Sequence, residues 1–406
     1  MADTVRVAIL ADALDYSGGS ARVFITNLLE SLIKNKPHGL EIIIIRGRKS
    51  LGPRTRGVIE IAIPRPGKAF RGGYLISAPY YLRKQVLMYF RDQKIINIIK
   101  RLGVDIFHMP NLGGAEAPPI AYLSLNNLIV TLHGVSPLVL PPSMHYRGLS
   151  IFKYLLVKYD VFKWKVFFRR KVRHIITVSY SAKRNISKYL GIPPERITVI
   201  YNGVDSRIFR PIEKERAQSY ISKKYGIMCE FILHVSTYQP KKNVENIIRA
   251  FYFLKRKYNT DVKLVIVGRQ PGHLRKMTQK LGLKKEVIFT GFVSTQDLPF
   301  FYNAALCFVF PSLHESSGLP LIEAMVTGCP VITSTAPACV ETISDAGIVV
   351  DPENYQKLAE AMWILISNHS LREELSHKSL KRARIFSWDI VAKKYINLYF
   401  KLVDQL

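Results

Sequence analysis

Short runs of apolar, often β-branched residues alternate with helical patterns of apolar and polar positions along the whole chain. The runs predict strands at residues 5–10, 41–46, 104–108, 128–133, 174–179 and 197–202, and again at 231–236, 262–268, 287–291, 306–312, 330–334 and 347–350. Continuous apolar strands with helices between them are typical of parallel sheets that helices cover on both faces. The pattern therefore predicts an α/β fold.

A charged segment at residues 210–228 lacks the strand pattern and interrupts this alternation. Predicted strands precede and follow it in equal number, so we predict two Rossmann-like domains, at residues 1–212 and 213–387. The last segment, residues 388–404, has an amphipathic helical pattern with no strand after it. Ligands of open parallel sheets lie beyond the carboxyl ends of the strands, so we expect the site in the cleft between two such facing domains.

The stretch "HESSGLPLIEAM", residues 314–325, follows one predicted strand and begins a helix. Pro320 fits the first helical turn, and the N–H groups that would meet an anion there belong to Ser317, Gly318 and Leu319. Glu315 lies just before this helix end, and Glu323 lies about one turn inside the helix, roughly 6 Å along its axis. A carboxylate accepts hydrogen bonds from two hydroxyls, so a diphosphate flanked by two polyols fits the pattern: a nucleotide sugar. The alternative is that both acids merely offset the helix dipole.

Two further strand ends carry candidate residues. Gly18 and Gly19 in "DYSGGSARVF" follow the first strand and would bring backbone N–H groups towards a phosphate or an acceptor. A plain strand-to-helix turn explains them equally well. His133 ends the run "LIVTLH" and is either a structural or a functional histidine.

The charge of the chain predicts an anionic partner. Its 59 Lys and Arg against 30 Asp and Glu give a formal net charge of +29. Residues 150–174 interleave eight of these cations with aromatic and aliphatic residues, opposed only by Asp160, as in a helix at the surface of an anionic membrane with Phe and Trp inserted. The alternatives are an ordinary helix packed on a sheet and a basic surface without a dedicated partner. Nucleic acid is not expected, since no RNA- or DNA-binding signature accompanies the charge.

Cysteine usage and hydropathy indicate a cytoplasmic protein. The four cysteines form no CxxC pair, so we expect them reduced, and the N-terminus does not read as a signal peptide. No apolar run approaches the roughly 18–20 residues that span a bilayer, so we expect a location in the cytoplasm, peripheral at the inner face of the membrane. Without an Asp-x-Asp motif, no metal or other cofactor is expected.

The motifs "HVSTYQPKKN", "LVIVGRQPG", "GFVSTQDLPFFYNAA", "SLHESSGLPLIEAMVTGCPVITS" and "GIVVDPEN" lie in the second half of the chain. With them this half resembles the retaining glycosyltransferases of the GT-4 type, which have a GT-B fold. The E-x7-E spacing of Glu315 and Glu323 is the most specific element. The likeness extends more weakly over the first half, through "SGGS", "TLHG", "TVSYSAKRNI" and "YNGVD".

The resemblance implies roles for individual residues. Glu315 would engage the donor sugar, Glu323 the ribose, and Lys242 the diphosphate. Thr237 stands where the family often has a second diphosphate-binding cation, an Arg, which Lys241 or Arg269 would replace.

Other positions follow from the same likeness. The Gly18–Gly19 loop would cover the diphosphate, His133 would lie near the transferred sugar, and the helix at 388–404 would pack back on the first domain. Ser317 departs from the Phe that the family often has, and "PKKN" resembles mannosyl- and rhamnosyl-transferring relatives.

The expected function is therefore transfer of a hexose from a nucleotide-diphosphate sugar to a glycan or lipid-linked acceptor, with retention of the anomeric configuration. The "PKKN" motif is a weak hint that the hexose is mannose-like. One alternative is a GT-B isomerase or hydrolase that acts on the nucleotide sugar without an acceptor. Another is a basic protein that binds lipid or RNA and has no catalytic activity.

Overall fold

The structure is a computed structural model that describes residues 4–15, 20–47, 58–64, 78–110, 125–141, 144 and 164–405. The predicted glycines Gly18 and Gly19 lie outside the described residues, as do positions 150–163 of the predicted membrane segment. By its contacts the chain divides into two compact units. The first comprises Met1–Val135, Ser150–Gly203 and Trp388–Leu406, and the second comprises Ser136–Leu149 and Val204–Ser387.

The first unit contains a parallel sheet, seven-stranded within the described residues, in the order β3-β2-β1-β4-β5-β6-β7. Its strands are β1 (Val5–Leu10), β2 (Leu40–Arg46), β3 (Ile59–Ala62), β4 (Ile106–Met109), β5 (Leu128–Thr131), β6 (His174–Thr177) and β7 (Ile197–Val199). The helices described for this unit are Ser20–Lys34, Ala78–Arg101, Tyr180–Leu190 and Trp388–Val403, with further helical residues at 164–170. The strands β2, β4, β5 and β6 are buried on both faces, which explains their nearly continuous apolar sequence.

The last helix, Trp388–Val403, belongs to the first unit and packs on the helix Ser20–Lys34. The ring of Trp388 lies against Gly203, where a Cβ would come within 2.4 Å of the indole. Buried His108 of β4 also contacts this helix, since its Nδ1 lies 2.8 Å from the Tyr399 hydroxyl. No helix among the described ranges is long and apolar enough to cross a membrane.

The second unit repeats the architecture. Its parallel sheet has the order β10-β9-β8-β11-β12-β13. The strands are β8 (Phe231–Val235), β9 (Lys263–Val267), β10 (Val287–Gly291), β11 (Cys307–Phe310), β12 (Val331–Ser334) and β13 (Gly347–Val350). The helices are Ser136–Val139, Lys214–Tyr225, Val244–Tyr258, Gly272–Lys280, Leu298–Ala304, Leu319–Val326, Pro337–Ile343, Tyr355–Ser367 and His369–Ala383 within the described residues. In each sheet the order of the strands reverses beside the strand that comes first in the chain, β1 or β8, as in Rossmann-like folds.

The predicted strands all occur, and the α/β prediction is confirmed. Several end earlier than predicted: the run 128–133 is a strand only over Leu128–Thr131. The sequence pattern missed β3, a short edge strand with one exposed and three half-buried residues. It also gave no helix within 210–228, where the structure has Lys214–Tyr225, of which only Ala217 and Ile221 are buried.

Candidate active site

The candidate residues of the second unit lie at one edge of its sheet, beyond the carboxyl ends of β8, β9 and β11. Backbone hydrogen bonds join the loops there. The Leu313 N–H donates to the Lys241 carbonyl at 2.8 Å, and the Tyr238 N–H donates to the Arg269 carbonyl at 3.1 Å. The fold therefore brings together three segments that are distant in sequence.

Lys242 and Glu315 form an ion pair at this edge. Lys242 Nζ donates to Glu315 Oε1 at 2.5 Å, and the two side chains are 15% and 10% exposed. The ammonium also lies 4.8 Å from the centre of the Phe310 ring at the end of β11. A charge held between a carboxylate and an aromatic face is fixed in position. The two predicted donor-binding charges therefore neutralise each other in this structure.

A second lysine lies close to the same carboxylate. Lys241 is half-buried, and its burial lowers the pKa of its ammonium, an effect that Glu315 opposes and Lys242 reinforces. Thr237 and Arg269 lie at the same edge but are exposed. Lys241 is thus close enough to the ion pair for its charge to interact with both members.

A tight turn fixes both lysines. Pro240–Lys242 form one turn of 3-10 helix, and Asn243 ends it with a φ of 60°, in the left-handed region that Asn tolerates. The Asn243 side-chain amide donates to the carbonyls of Pro311 and Pro352, at 3.2 and 2.6 Å. These bonds tie the lysine turn to the loop that carries Glu315.

The helix Leu319–Val326 begins as the sequence predicts. Gly318 caps it at φ 72° and ψ 53°, and Pro320 occupies its first turn. Ser317, just before the cap, is buried, and its carbonyl accepts a hydrogen bond from Thr342 Oγ1 at 2.8 Å. This contact holds the chain that leads into the positive end of the helix.

Glu323 lies one turn inside this helix and is half-buried. The hydroxyl of buried Tyr302 donates to Glu323 Oε2 at 2.9 Å. Burial raises the pKa of the Glu323 carboxyl to about 7, although the Tyr302 hydrogen bond lowers it. The carboxyl is therefore close to half-ionised at neutral pH.

Beneath the ion pair lies a buried polar residue that the sequence analysis missed. His234 of β8 stacks on the Phe310 ring at 6.1 Å, its Nδ1 lies 2.8 Å from the Val309 carbonyl, and its Nε2 lies 2.7 Å from Ser236 Oγ. Burial lowers its pKa to about 4, so it is neutral. It supports the aromatic surface on which Lys242 rests.

Two buried oxygen atoms at this edge, Ser312 Oγ and Gln270 Oε1, have no hydrogen-bond partner among the residues that the structure describes. Ser312 follows β11 and Gln270 follows β9. Buried polar atoms without partners are rare in native proteins, so a polar ligand at this edge would satisfy them. No group of three or more His, Cys, Asp or Glu side chains in the described ranges could hold a metal ion.

His133 lies in the first unit, after β5. Its ring packs edge-on against Phe24, with the ring centres 4.6 Å apart, and it donates to the backbone of Pro110. Burial lowers its pKa to about 4, an effect that the Pro110 bond opposes. His133 is therefore a neutral hydrogen-bonding group at the carboxyl edge of the first sheet.

Two known families match the chain. Residues 214–382 match the family described as "Glycosyl transferases group 1", and residues 18–207 match "Glycosyltransferase Family 4". Both segments are thus similar to known glycosyltransferase families, the first half of the chain to the family 4 type. The matched segments contain Glu315, Glu323, Lys242 and His133.

Related proteins are named as mannosyltransferases. The O-antigen chain mannosyltransferase B of Escherichia coli is 28% identical over 230 residues, which are 55% of this chain and 60% of that protein. The O-antigen chain mannosyltransferase RfbU of Salmonella typhimurium is 30% identical over 245 residues, 58% of this chain and 64% of that protein. The chain thus matches less than two thirds of the length of these curated relatives.

The fold is that of the GT-B glycosyltransferases. The crystal structure of Anabaena HepE in complex with UDP and glucose superposes with a TM-score of 0.71 at 16% identity, covering 98% of this chain and 100% of that one. With this likeness the GT-B prediction is confirmed as far as the two Rossmann-like folds are concerned.

The basic segment differs from its prediction where it is described. Phe167 and Phe168 are buried in the first unit, so these aromatic rings are not available for insertion into lipid. The helical residues 164–170 thus pack as an ordinary amphipathic helix would. Arg169 and Arg170 at its end are exposed.

Proposed function

We propose that this family 4-type glycosyltransferase transfers a hexose, mannose-like, from a nucleotide-diphosphate sugar to a glycan or lipid-linked acceptor. The observation that carries the proposal is the Lys242–Glu315 pair beside the positive end of the helix that contains Glu323. A glycan acceptor and mannose agree with the names of the related O-antigen chain mannosyltransferases. A sugar nucleotide donor agrees with the UDP and glucose named for the similar HepE structure.

Each polar group has a part of the donor that it suits. The ammonium of Lys242, with Lys241 beside it, attracts the diphosphate, and the start of the helix at Gly318 favours the same charge. Glu315 accepts hydrogen bonds from hydroxyls of the transferred sugar, and Glu323 accepts them from the ribose. Lys241 replaces the Arg that the family often has at the position of Thr237, since it is held beside Glu315 whereas Arg269 is exposed.

The reaction needs positioning and charge stabilisation more than a protein nucleophile. The bond between the sugar C1 and the phosphate oxygen breaks, and a bond from C1 to the acceptor oxygen forms on the same face of the ring. The acceptor proton passes to the leaving diphosphate. The lysines stabilise the negative charge that develops on that diphosphate. No step requires a metal or another cofactor.

The net charge of +29 is consistent with work at an anionic membrane surface, on the cytoplasmic side, where a lipid-linked acceptor would lie. This location is part of the proposal.

A donor screen tests the function. UDP-, GDP-, dTDP- and ADP-sugars are compared for their ability to raise the thermal midpoint, because a ligand that binds only the native state stabilises it. We expect one nucleotide class to stabilise the protein and a mannose-type sugar to be transferred. Glu315→Ala should abolish transfer while the protein stays folded, and wild-type turnover in that variant would refute the assignment.

Donor consumption with and without acceptor separates the alternatives. A transferase consumes donor slowly in the absence of an acceptor, whereas an isomerase or hydrolase is unaffected by its absence. Absence of any nucleotide-sugar binding would instead favour a basic protein without catalytic activity.

A further inference from the structure

A strongly cationic pocket lies in the first unit, apart from the residues considered so far. It has a volume of about 350 Å³ and is lined by the cations Arg169, Arg170, Lys171, Arg173 and Arg196. The remaining described lining is apolar or an amide, with no acid among it. Five positive charges around one concavity repel each other unless an anion is present.

The pocket is at the amino edge of the first sheet. Asn126 precedes β5, Arg173 precedes β6, and Arg196 precedes β7. His133, in contrast, follows β5 at the carboxyl edge. The four residues of β5 span about 13 Å at roughly 3.3 Å per residue, so the pocket is distinct from the edge where His133 lies.

Three of the arginines are held in place by carbonyl groups at the ends of helices. Arg169 Nε donates to the Leu190 carbonyl at 2.9 Å, and Arg173 Nη2 donates to the Leu402 carbonyl at 2.9 Å. Arg196 donates to several carbonyls within residues 168–173. Their guanidinium groups are therefore ordered before any ligand arrives, which reduces the entropy lost on binding.

The helix ends do not balance this charge. Each helix C-terminus carries roughly half a negative charge, so three of them offset only about 1.5 of the positive charges. Among the described residues, the side chains of Arg170 and Lys171 donate to no helix end. The positive charge also acts on nearby His174. The pKa of His174 is lowered to about 4, chiefly by burial and further by the cations Arg196, Lys401, Lys183 and Arg173.

We propose that this pocket binds a phosphate-type anion, either the headgroup phosphate of an anionic phospholipid or free phosphate. Arginine presents paired N–H donors that match phosphate oxygens, and a pocket with several pre-ordered arginines is suited to such a group. The proposal is independent of glycosyl transfer, because the pocket lies at the other edge of the sheet from His133 and contains no residue assigned to the donor.

The test uses Arg170→Gln/Lys171→Gln, because these two cations are exposed or half-buried and hold no helix end. Lys284→Gln/Lys285→Gln is the matched control, since it removes two adjacent exposed cations from the second unit. Binding is measured by co-sedimentation with vesicles of equal parts phosphatidylcholine and phosphatidylglycerol. In a second arm, inorganic phosphate is compared with chloride at equal ionic strength for its effect on the thermal midpoint.

If lipid is the source, the pocket variant should partition about 30-fold more weakly onto the vesicles, because each of the two cations contributes roughly fivefold, and the control should change little. If free phosphate is the source, phosphate should raise the thermal midpoint of the wild type and of the control but not of the pocket variant. Equal losses in the two variants would overturn the proposal, since net charge alone would then explain binding. Binding of neither ligand by the wild type would also overturn it. Should the double variant not fold, Arg170→Gln alone is expected to show about a fivefold loss in the same assays.

Discussion

Replacement of Glu323 by Gln should stabilise the ligand-free protein at alkaline pH while it removes donor binding. The pKa of the Glu323 carboxyl is raised from 4.5 to about 7, chiefly by burial. Between these two values the native state binds more protons than the unfolded state, so stability falls as the pH rises through this range. The contribution of the protonated Glu323 carboxyl to the free energy of unfolding is complete below about pH 4.5 and is lost above pH 7. A pKa difference of this size corresponds to roughly 3 kcal/mol.

Glutamine keeps a carbonyl oxygen that can accept the Tyr302 hydrogen bond, and it carries no charge at any pH. We therefore expect Glu323→Gln to gain about 2–3 kcal/mol over the wild type at pH 8 and almost nothing at pH 4.5. For a unit of about 200 residues this gain raises the thermal midpoint by roughly 5–10 °C. Donor affinity, measured by calorimetry, should fall below detection, because the glutamine oxygen accepts from Tyr302 and the remaining NH2 group donates hydrogen bonds but cannot accept them from ribose hydroxyls.

Thermal unfolding is recorded for the wild type and the variant from pH 4.5 to pH 8. The exposed Glu353→Gln controls for the loss of one negative charge. An equal effect of Glu323→Gln at both ends of the pH range would show that the carboxyl does not titrate as the structure indicates. Unchanged donor affinity would refute the ribose-binding role instead.

Three further predictions concern the same edge of the sheet. Tyr302→Phe removes a hydrogen bond that lowers the pKa of the Glu323 carboxyl, so less of this group is ionised at pH 7. Donor binding should therefore weaken by about tenfold at pH 7 and recover at higher pH; an unchanged pH profile would contradict this. In urea unfolding, Glu315→Gln and Lys242→Gln should each destabilise the protein by about 1–3 kcal/mol and the double variant by less than their sum, whereas strict additivity would argue against the ion pair. Gly318→Ala should cost about 1–2 kcal/mol for a left-handed backbone, as should Gly282→Ala at the same φ of 72°. Calorimetry should show weaker donor binding for Gly318→Ala but not for Gly282→Ala, since Gly282 is distant in sequence from the candidate residues. Equal donor affinity of the two variants would count against the helix end as a phosphate site.

Much of the fold could be predicted because strand burial leaves a direct mark on the sequence. Strands such as β2 and β5 are buried on both faces, so nearly every position is apolar and the run is visible without other information. The mark weakens where burial is partial, which is why the edge strand β3 was missed. The helix Lys214–Tyr225 was missed for the same reason, since it buries only Ala217 and Ile221.

The site could be predicted less completely, because its contacts join segments distant in the chain. The helix start at Gly318 was predictable, since Gly and Pro mark it locally. The contact of Tyr302 with Glu323 was not predictable, because Tyr302 lies in an apolar helix where its ring resembles any other core side chain. The pairing of Lys242 with Glu315 depends on the order of β8 and β11 in the sheet, which no local pattern contains.

The ion pair resolves the difficulty of placing acids at a site meant for a diphosphate. Because Glu315 and Lys242 already neutralise each other, neither presents an unscreened charge to an approaching donor. A diphosphate and a sugar that arrive together can divide the pair, the phosphate taking the ammonium and the hydroxyls taking the carboxylate. A nucleoside diphosphate without its sugar would leave the carboxylate beside two phosphates, which is repulsive. On the proposed donor geometry, the same two side chains therefore favour the intact donor over the product and assist product release.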